Sequence, residues 1–77
     1  MATWTAVYVL VLDRLSSNAR RLREAEGFSQ AEVAARARMS LRSYQRFEEG
    51  STPPKLATIA QVAFAMNVDP AELLQPV

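Results

Sequence analysis

An all-α domain of five helices, preceded by an apolar N-terminal arm, is the fold this sequence predicts. Three observations predict it: apolar residues recur at helical spacing, helix-start residues stand before those stretches, and Gly, Asn or Pro stands after them. With 77 residues the chain has room for one domain with a small core. Helix 1 is expected from Arg14 to Ala25, with Leu15, Ala19 and Leu22 inward and Gly27 as the left-handed stop. Helix 2 is expected over about Gln30 to Ala37. Its start at Ser29 and Glu32 fits a capping box, in which hydroxyl and carboxylate reciprocally satisfy backbone donors. Helix 3, about Leu41 to Glu49, starts behind Ser40 and ends at Gly50, and Ser51 to Pro54 form a rigid loop that bars continuation. Helix 4, about Leu56 to Met66, is expected to bury Leu56, Ile59, Val62, Ala63 and Met66 at helical spacing, with Asn67 as a left-handed cap. Helix 5, Pro70 to Leu74, has Asp69 as N-cap, Pro70 at N1 and Glu72 at N3.

Residues 1–13, the arm, read differently from residues 14–77. Thr5, Val7, Val9 and Val11 alternate with Ala6, Tyr8, Leu10 and Leu12, a period of two rich in β-branched and aromatic residues. Both faces are apolar, and a lone strand leaves its backbone unsatisfied, so the favoured reading pairs two copies of the strand across a dimer axis. The alternative extends helix 1 through the arm and packs it on helix 5, near Phe64 and Leu73. Either way Trp4, Val7, Tyr8, Val9 and Phe64 are the surface expected to make a dimer contact.

Composition narrows the chemistry. Cysteine and histidine are both absent, which removes disulfides, Cys/His zinc sites and His-based acid–base roles. No metal, cofactor or small-molecule ligand is expected, and an enzyme is not. The apolar run Trp4 to Leu12 is too short to span a bilayer and lacks the basic region and cleavage site of a signal peptide, so a cytoplasmic protein is expected. Net charge is only +1, so the argument for a nucleic-acid partner rests on distribution. From Arg20 to Arg46 seven Arg face Glu24, Glu26 and Glu32, a formal +4, while Glu48, Glu49, Asp69 and Glu72 lie beyond.

The stretch Ser29 to Gly50 reads as two short helices joined by a tight turn. In the second, Tyr44 and Phe47 lie three apart on one face, expected to be core, while Arg42, Ser43 and Arg46 project from others. That is the layout of a DNA-reading helix-turn-helix.

From Leu15 to Leu74 the chain resembles the XRE family of helix-turn-helix domains, the lambda repressor and Cro type. The resemblance is carried by Leu15, Leu22-Arg23, Gly27-Phe28-Ser29-Gln30, Glu32-Val33-Ala34, Ser40, Phe47-Glu48 and Gly50, then Pro54, Ala63, Val68 and Leu73-Leu74. Together these set both helix starts, both stops and the core at fixed offsets. The resemblance implies that the start of helix 2 lies against the sugar-phosphate backbone, with the free amide of Gln30 on a phosphate. It implies that helix 3 enters the major groove, with Ser40, Leu41, Arg42 and Arg46 facing base edges. Arg42 is the expected main reader, because a bidentate Arg contact to guanine O6 and N7 gives roughly 1–3 kcal/mol of discrimination. Leu41 offers only apolar contact, for instance to a thymine methyl. Ser43, Arg36, Arg38 and Lys55 are the further candidates for phosphate contacts. Arg23 and Glu48 sit where the family commonly places an internal ion pair, which fixes geometry more than it adds stability.

Two positions depart from the family pattern. The turn between helices 2 and 3 usually has a left-handed Gly, and here the match falls on Arg38, at a cost of roughly 1–2 kcal/mol. Helix 4 usually starts on Ser or Thr, and here Lys55 stands there. The resulting expectation is a regulator that binds double-stranded DNA as a homodimer, on an approximate palindrome with half-site centres about 34–36 Å apart or a multiple of that. Its size leaves no room for a separate ligand-sensing domain. The family includes phage repressors, restriction-modification controllers and antitoxins. A protein-protein interaction module using the arm, or an antitoxin-type partner of a toxin, is the alternative.

Overall fold

The computed structural model describes residues 3–77. It contains four α-helices and a terminal 3-10 turn: α1 (Trp4–Ala25), α2 (Gln30–Ala37), α3 (Leu41–Glu49), α4 (Leu56–Met66) and η1 (Pro70–Leu74). Helices α2, α3 and α4 occupy the expected spans. The fifth helix is corrected to a 3-10 turn. Five residues cannot build a stable α-helical nucleus, although Asp69 Oδ1 accepts from the Ala71 amide at 2.8 Å and Glu72 reaches back to the Asp69 amide at 3.1 Å.

The expected strand is also corrected. Among the described residues there is no strand, and the arm is the first part of a 22-residue α1; its first two residues lie outside the described ones. The Thr3 hydroxyl caps this helix by accepting from the Ala6 amide at 3.2 Å. A helix pairs its backbone within itself, which a single strand cannot do, and the β-branched penalty of a few tenths of a kcal/mol per residue is smaller than the cost of unpaired amides. The arm continues helix 1, yet it does not pack on the C-terminal element: Trp4 to Val11 are exposed throughout.

The core lies where α1 meets α3 and η1, and where α2 packs on both α3 and α4. It is built from Leu15, Ala19, Val33, Ala34, Ala37, Tyr44, Phe47, Val62, Ala63, Ala65, Met66 and Leu73, with Leu22, Phe28, Met39, Ile59 and Val68 packed around it. Leu56 does not join it. At 85% exposed it stands at the start of α4, one turn before Ile59, the first apolar residue of that helix packed against the core.

Each turn is set by a residue in the left-handed region. Arg38 has φ 55° and ψ 46°, so the turn between α2 and α3 keeps the geometry normally given to Gly. Its amide and that of Met39 still close on α2 carbonyls, and Gln61 Nε2 donates to the Ala37 carbonyl at 2.9 Å, tying α4 to the end of α2. Gly50 has φ +67° and lies under α1. A Cβ there would come within 2.9 Å of Ser16 Oγ, so both conformation and space call for glycine.

Candidate nucleic-acid interface

Helix α3 is held by a buried polar network. Arg23 of α1 donates from Nε to Glu48 Oε2 at 2.6 Å and from Nη2 to Oε1 at 3.1 Å, while its Nη1 donates to the Phe28 carbonyl at 3.0 Å. The Glu48 side chain is 1% exposed. Gln30 donates to Glu48 Oε1 at 3.2 Å, and Gln45 of α3 donates to Gln30 Oε1 at 3.3 Å. Burial alone would push the Glu48 carboxyl up, but Arg23, the nearby Tyr44 hydroxyl and Gln30 together hold it below its ordinary value. Tyr44 moves the other way: burial first, then the Glu48 carboxylate, raises its phenol. That hydroxyl has no partner in good hydrogen-bond geometry, which makes it the least satisfied member of the group.

This network corrects one expectation. The Gln30 amide is not free; it links the first turn of α2 to Glu48 and Gln45, with one N–H left over. Sequence reading missed Gln45, since an interior Gln on a short helix carries no signal of its own. Arg20, counted in the sequence only as part of the basic stretch, lies 3.7 Å from Glu48 on the exposed side.

The outer side of α3 carries the opposite pattern. Leu41, Arg42, Ser43 and Arg46 are exposed, and among the described residues neither Arg42 nor Arg46 makes an ion pair. Ser40 caps the helix, accepting from the Ser43 amide at 3.1 Å and donating to Ser43 Oγ at 2.9 Å. Its single donor is therefore used, while the Ser43 hydroxyl proton is left to point outward. Ser43 and Arg46 line an open groove of about 420 Å³ with Phe47, Thr52, Pro53, Pro54, Lys55 and Thr58. Lys55 thus joins α3 across the proline loop, although it gives α4 no side-chain cap. Thr52 and Thr58 were not marked by the sequence; Thr52 stands directly before the double proline, and Thr58 lies in the first turn of α4. Arg42, Gln45, Arg46, Glu49 and Ser51 line a smaller concavity on the neighbouring side.

The remaining candidates fall elsewhere. The Arg36 guanidinium lies over the Phe28 ring, 4.2 Å from its centroid. It faces the α2–α4 side, where it and Arg38 line a shallow depression with Ala60, Gln61 and Phe64. Phe64, 79% exposed, belongs to that depression, whereas Trp4 and Tyr8 pack edge to face on α1 with ring centroids 6.5 Å apart. Among the described residues no cluster of acidic side chains suits a metal ion, and no helix is long and apolar enough to cross a membrane.

Comparison with known proteins gives three matches. Residues 14–75 match the model of a helix-turn-helix domain family. The HTH-type transcriptional regulator y4dJ of Sinorhizobium fredii is 36% identical over 62 residues, covering 80% of each chain. The crystal structure of the restriction-modification controller protein C.AhdI from Aeromonas hydrophila superimposes with a TM-score of 0.76 at 29% identity, over 80% of this chain and 94% of that one. With the capping box at Ser29, the left-handed turn at Arg38 and the Arg23–Glu48 bracket all within the matched span, the chain belongs to the helix-turn-helix domain family, of the XRE type.

Proposed function

We propose that the protein is a transcriptional regulator that binds double-stranded DNA sequence-specifically, acting in the cytoplasm as a homodimer on a palindromic operator. The observation that carries this reading is the contrast within α3: its inner face is fixed by Tyr44, Phe47 and Glu48, while Arg42 and Arg46 stand outward and make no ion pair among the described residues. A charged fork held on a rigid helix and left unpaired is suited to a base edge that supplies two acceptors. The names of the relatives, a transcriptional regulator and a controller protein, point the same way.

In this reading α3 lies in the major groove. Arg42 takes guanine O6 and N7, with Arg46 beside it, and Leu41 touches a thymine methyl. Ser40 contributes mainly by capping. Ser43, Lys55 and the remaining Gln30 N–H meet phosphates on either side of the groove, which sets register rather than sequence. Arg38, at the turn, is a further phosphate contact. Arg36, stacked on Phe28, contributes only if it leaves that ring. Two copies place their α3 helices in half-sites about one helical turn apart.

Selection of the purified protein on random duplex DNA tests this. An enriched palindrome that Arg42→Ala blurs at one symmetric pair of positions supports the reading. No enrichment at low salt overturns it, and leaves a protein-binding module in its place.

A further inference from the structure

The stripe that buries α1 does not stop where the domain stops. Leu15, Asn18 and Leu22 face the domain, and continuing towards the N-terminus by alternate steps of four and three gives Val11, Tyr8 and Trp4 on the same side. There no other element covers the stripe: Trp4 is 79% exposed, Tyr8 41% and Val11 38%. No charged residue occurs from Trp4 to Leu12. This arm also lies outside the residues 14–75 that match the family, so it is an addition to the family's domain.

We propose that the arm is where two copies of the chain join: the two α1 extensions pack antiparallel across a two-fold axis near Tyr8. This rests on the homodimeric regulator reading and names its interface. A partner rich in charge would lose hydration over Trp4 to Leu12 with no opposite charge in return. A second copy brings a matching surface. Antiparallel pairing sets the bulky Trp4 at the tip of one arm over the smaller Val11 and Leu12 at the base of the other, twice over, as a self-complementary contact requires. On this face Trp4, Tyr8 and Val11, with Val7 beside them, offer roughly 400 Å² of exposed side chain per copy, judged from the usual sizes of such groups and their exposure, about half the ~800 Å² per partner of a standard interface. Leu74, half exposed, lies at the arm's base, where Arg14 Nη1 donates to its carbonyl at 3.3 Å, and enlarges the surface. The arm is only about 13 Å long at 1.5 Å per residue, far short of a membrane span.

The chain has no cysteine, so single-cysteine variants report the contact directly. On oxidation Tyr8→Cys is expected to give a covalent dimer, since a disulfide needs Cα atoms within roughly 4.4–6.8 Å, whereas Phe64→Cys is expected to stay uncoupled. In sedimentation equilibrium the native chain is expected at twice its monomer mass, Phe64→Glu likewise, and the double variant Trp4→Glu, Tyr8→Glu at monomer mass with its helical circular dichroism retained. On the selected palindrome the double variant is expected to lose affinity on the order of 100-fold, the advantage of joining two binding units, while its affinity for a single half-site is unchanged. A monomeric native chain, a double variant that remains dimeric, or coupling at position 64 but not 8 overturns the proposal. In the last two cases the regulator reading stands. Coupling through position 8 in a protein that binds no duplex upholds the arm and removes that reading.

Discussion

Within α3, the face that carries Tyr44, Phe47 and Glu48 and the face that carries Arg42, Ser43 and Arg46 differ in how far their polar atoms are already satisfied. Inside, both Glu48 oxygens are engaged, by a guanidinium and an amide. Outside, the guanidinium groups of Arg42 and Arg46 form no ion pair among the described residues. The difference assigns the two faces to separate properties. The engaged Glu48 carboxylate holds the helix at one angle to α1 and α2, with only the Tyr44 hydroxyl beside it unpartnered, while exposed unpaired forks contribute little to folding and leave their hydrogen bonds to solvent or another molecule. Changes on the inner face should therefore register in unfolding, and changes on the outer face in binding.

The largest effect is expected from Arg23→Ala, which strands the Glu48 carboxylate and frees the Phe28 carbonyl. Loss of one partner of a buried pair costs about 3–5 kcal/mol, to be read from urea unfolding. A variant as stable as the native chain would remove the inner face from the account. The same pair sets an acid limit. The folded-state pKa of Glu48 is depressed, so its stabilisation is complete above the ordinary carboxyl value of 4.5 and is lost as pH falls through the lower folded value. Melting curves should drop in that window, and Glu48→Gln should flatten the drop.

On the outer face, Arg42→Ala is expected to lose roughly 1–3 kcal/mol of base discrimination and to change stability by less than about 0.5 kcal/mol. Competition binding and thermal melts on one preparation give both numbers. A large melting shift would show that the faces are not separable. Gly50→Ala is expected to destabilise by about 1–2 kcal/mol through its left-handed φ alone, with more from the approach to Ser16; chemical unfolding checks it. The smallest effect is a gain. Arg38→Gly relieves a left-handed side chain against a larger unfolded-state entropy, a net stabilisation of at most about 1 kcal/mol. If its DNA affinity also falls and loses salt dependence, Arg38 is a phosphate contact.

Sequence reading did best where local signals agreed with packing. Ser29 with Glu32, Ser40 before Leu41, and Gly50 or Asn67 after the helix each fix an end, and α2, α3 and α4 run between those ends. It did worst in the arm, where alternation of Val with Tyr and Leu matches a strand, yet continuity with α1 and the Thr3 cap favour helix. Leu56 was misplaced because helical spacing says which residues share a face, not where the neighbouring helix begins. In the interface the outward arginines were readable as residue types on a short helix. The employment of Gln30 by Glu48 and Gln45 was not, since it joins residues 15 and 18 positions apart by side chains alone. The groove between Ser43 and Lys55 depends on how the proline loop folds back, which spacing does not report.

Asn18 carries a consequence for how the chain matures during synthesis. Its buried Nδ2 donates to the Leu73 carbonyl at 3.1 Å and the Gln75 carbonyl at 2.8 Å, more than fifty residues away. Helices α2 and α3 can approach each other early, but the amide on α1 finds its acceptors only after residue 75 has left the ribosome. A product cut short before Leu73 keeps an unanswered amide in its interior and lacks the side chain that fills the space beside it. Such fragments would carry α3 on an unfinished body open to proteolysis, so the closure at Asn18 favours the survival of full-length molecules.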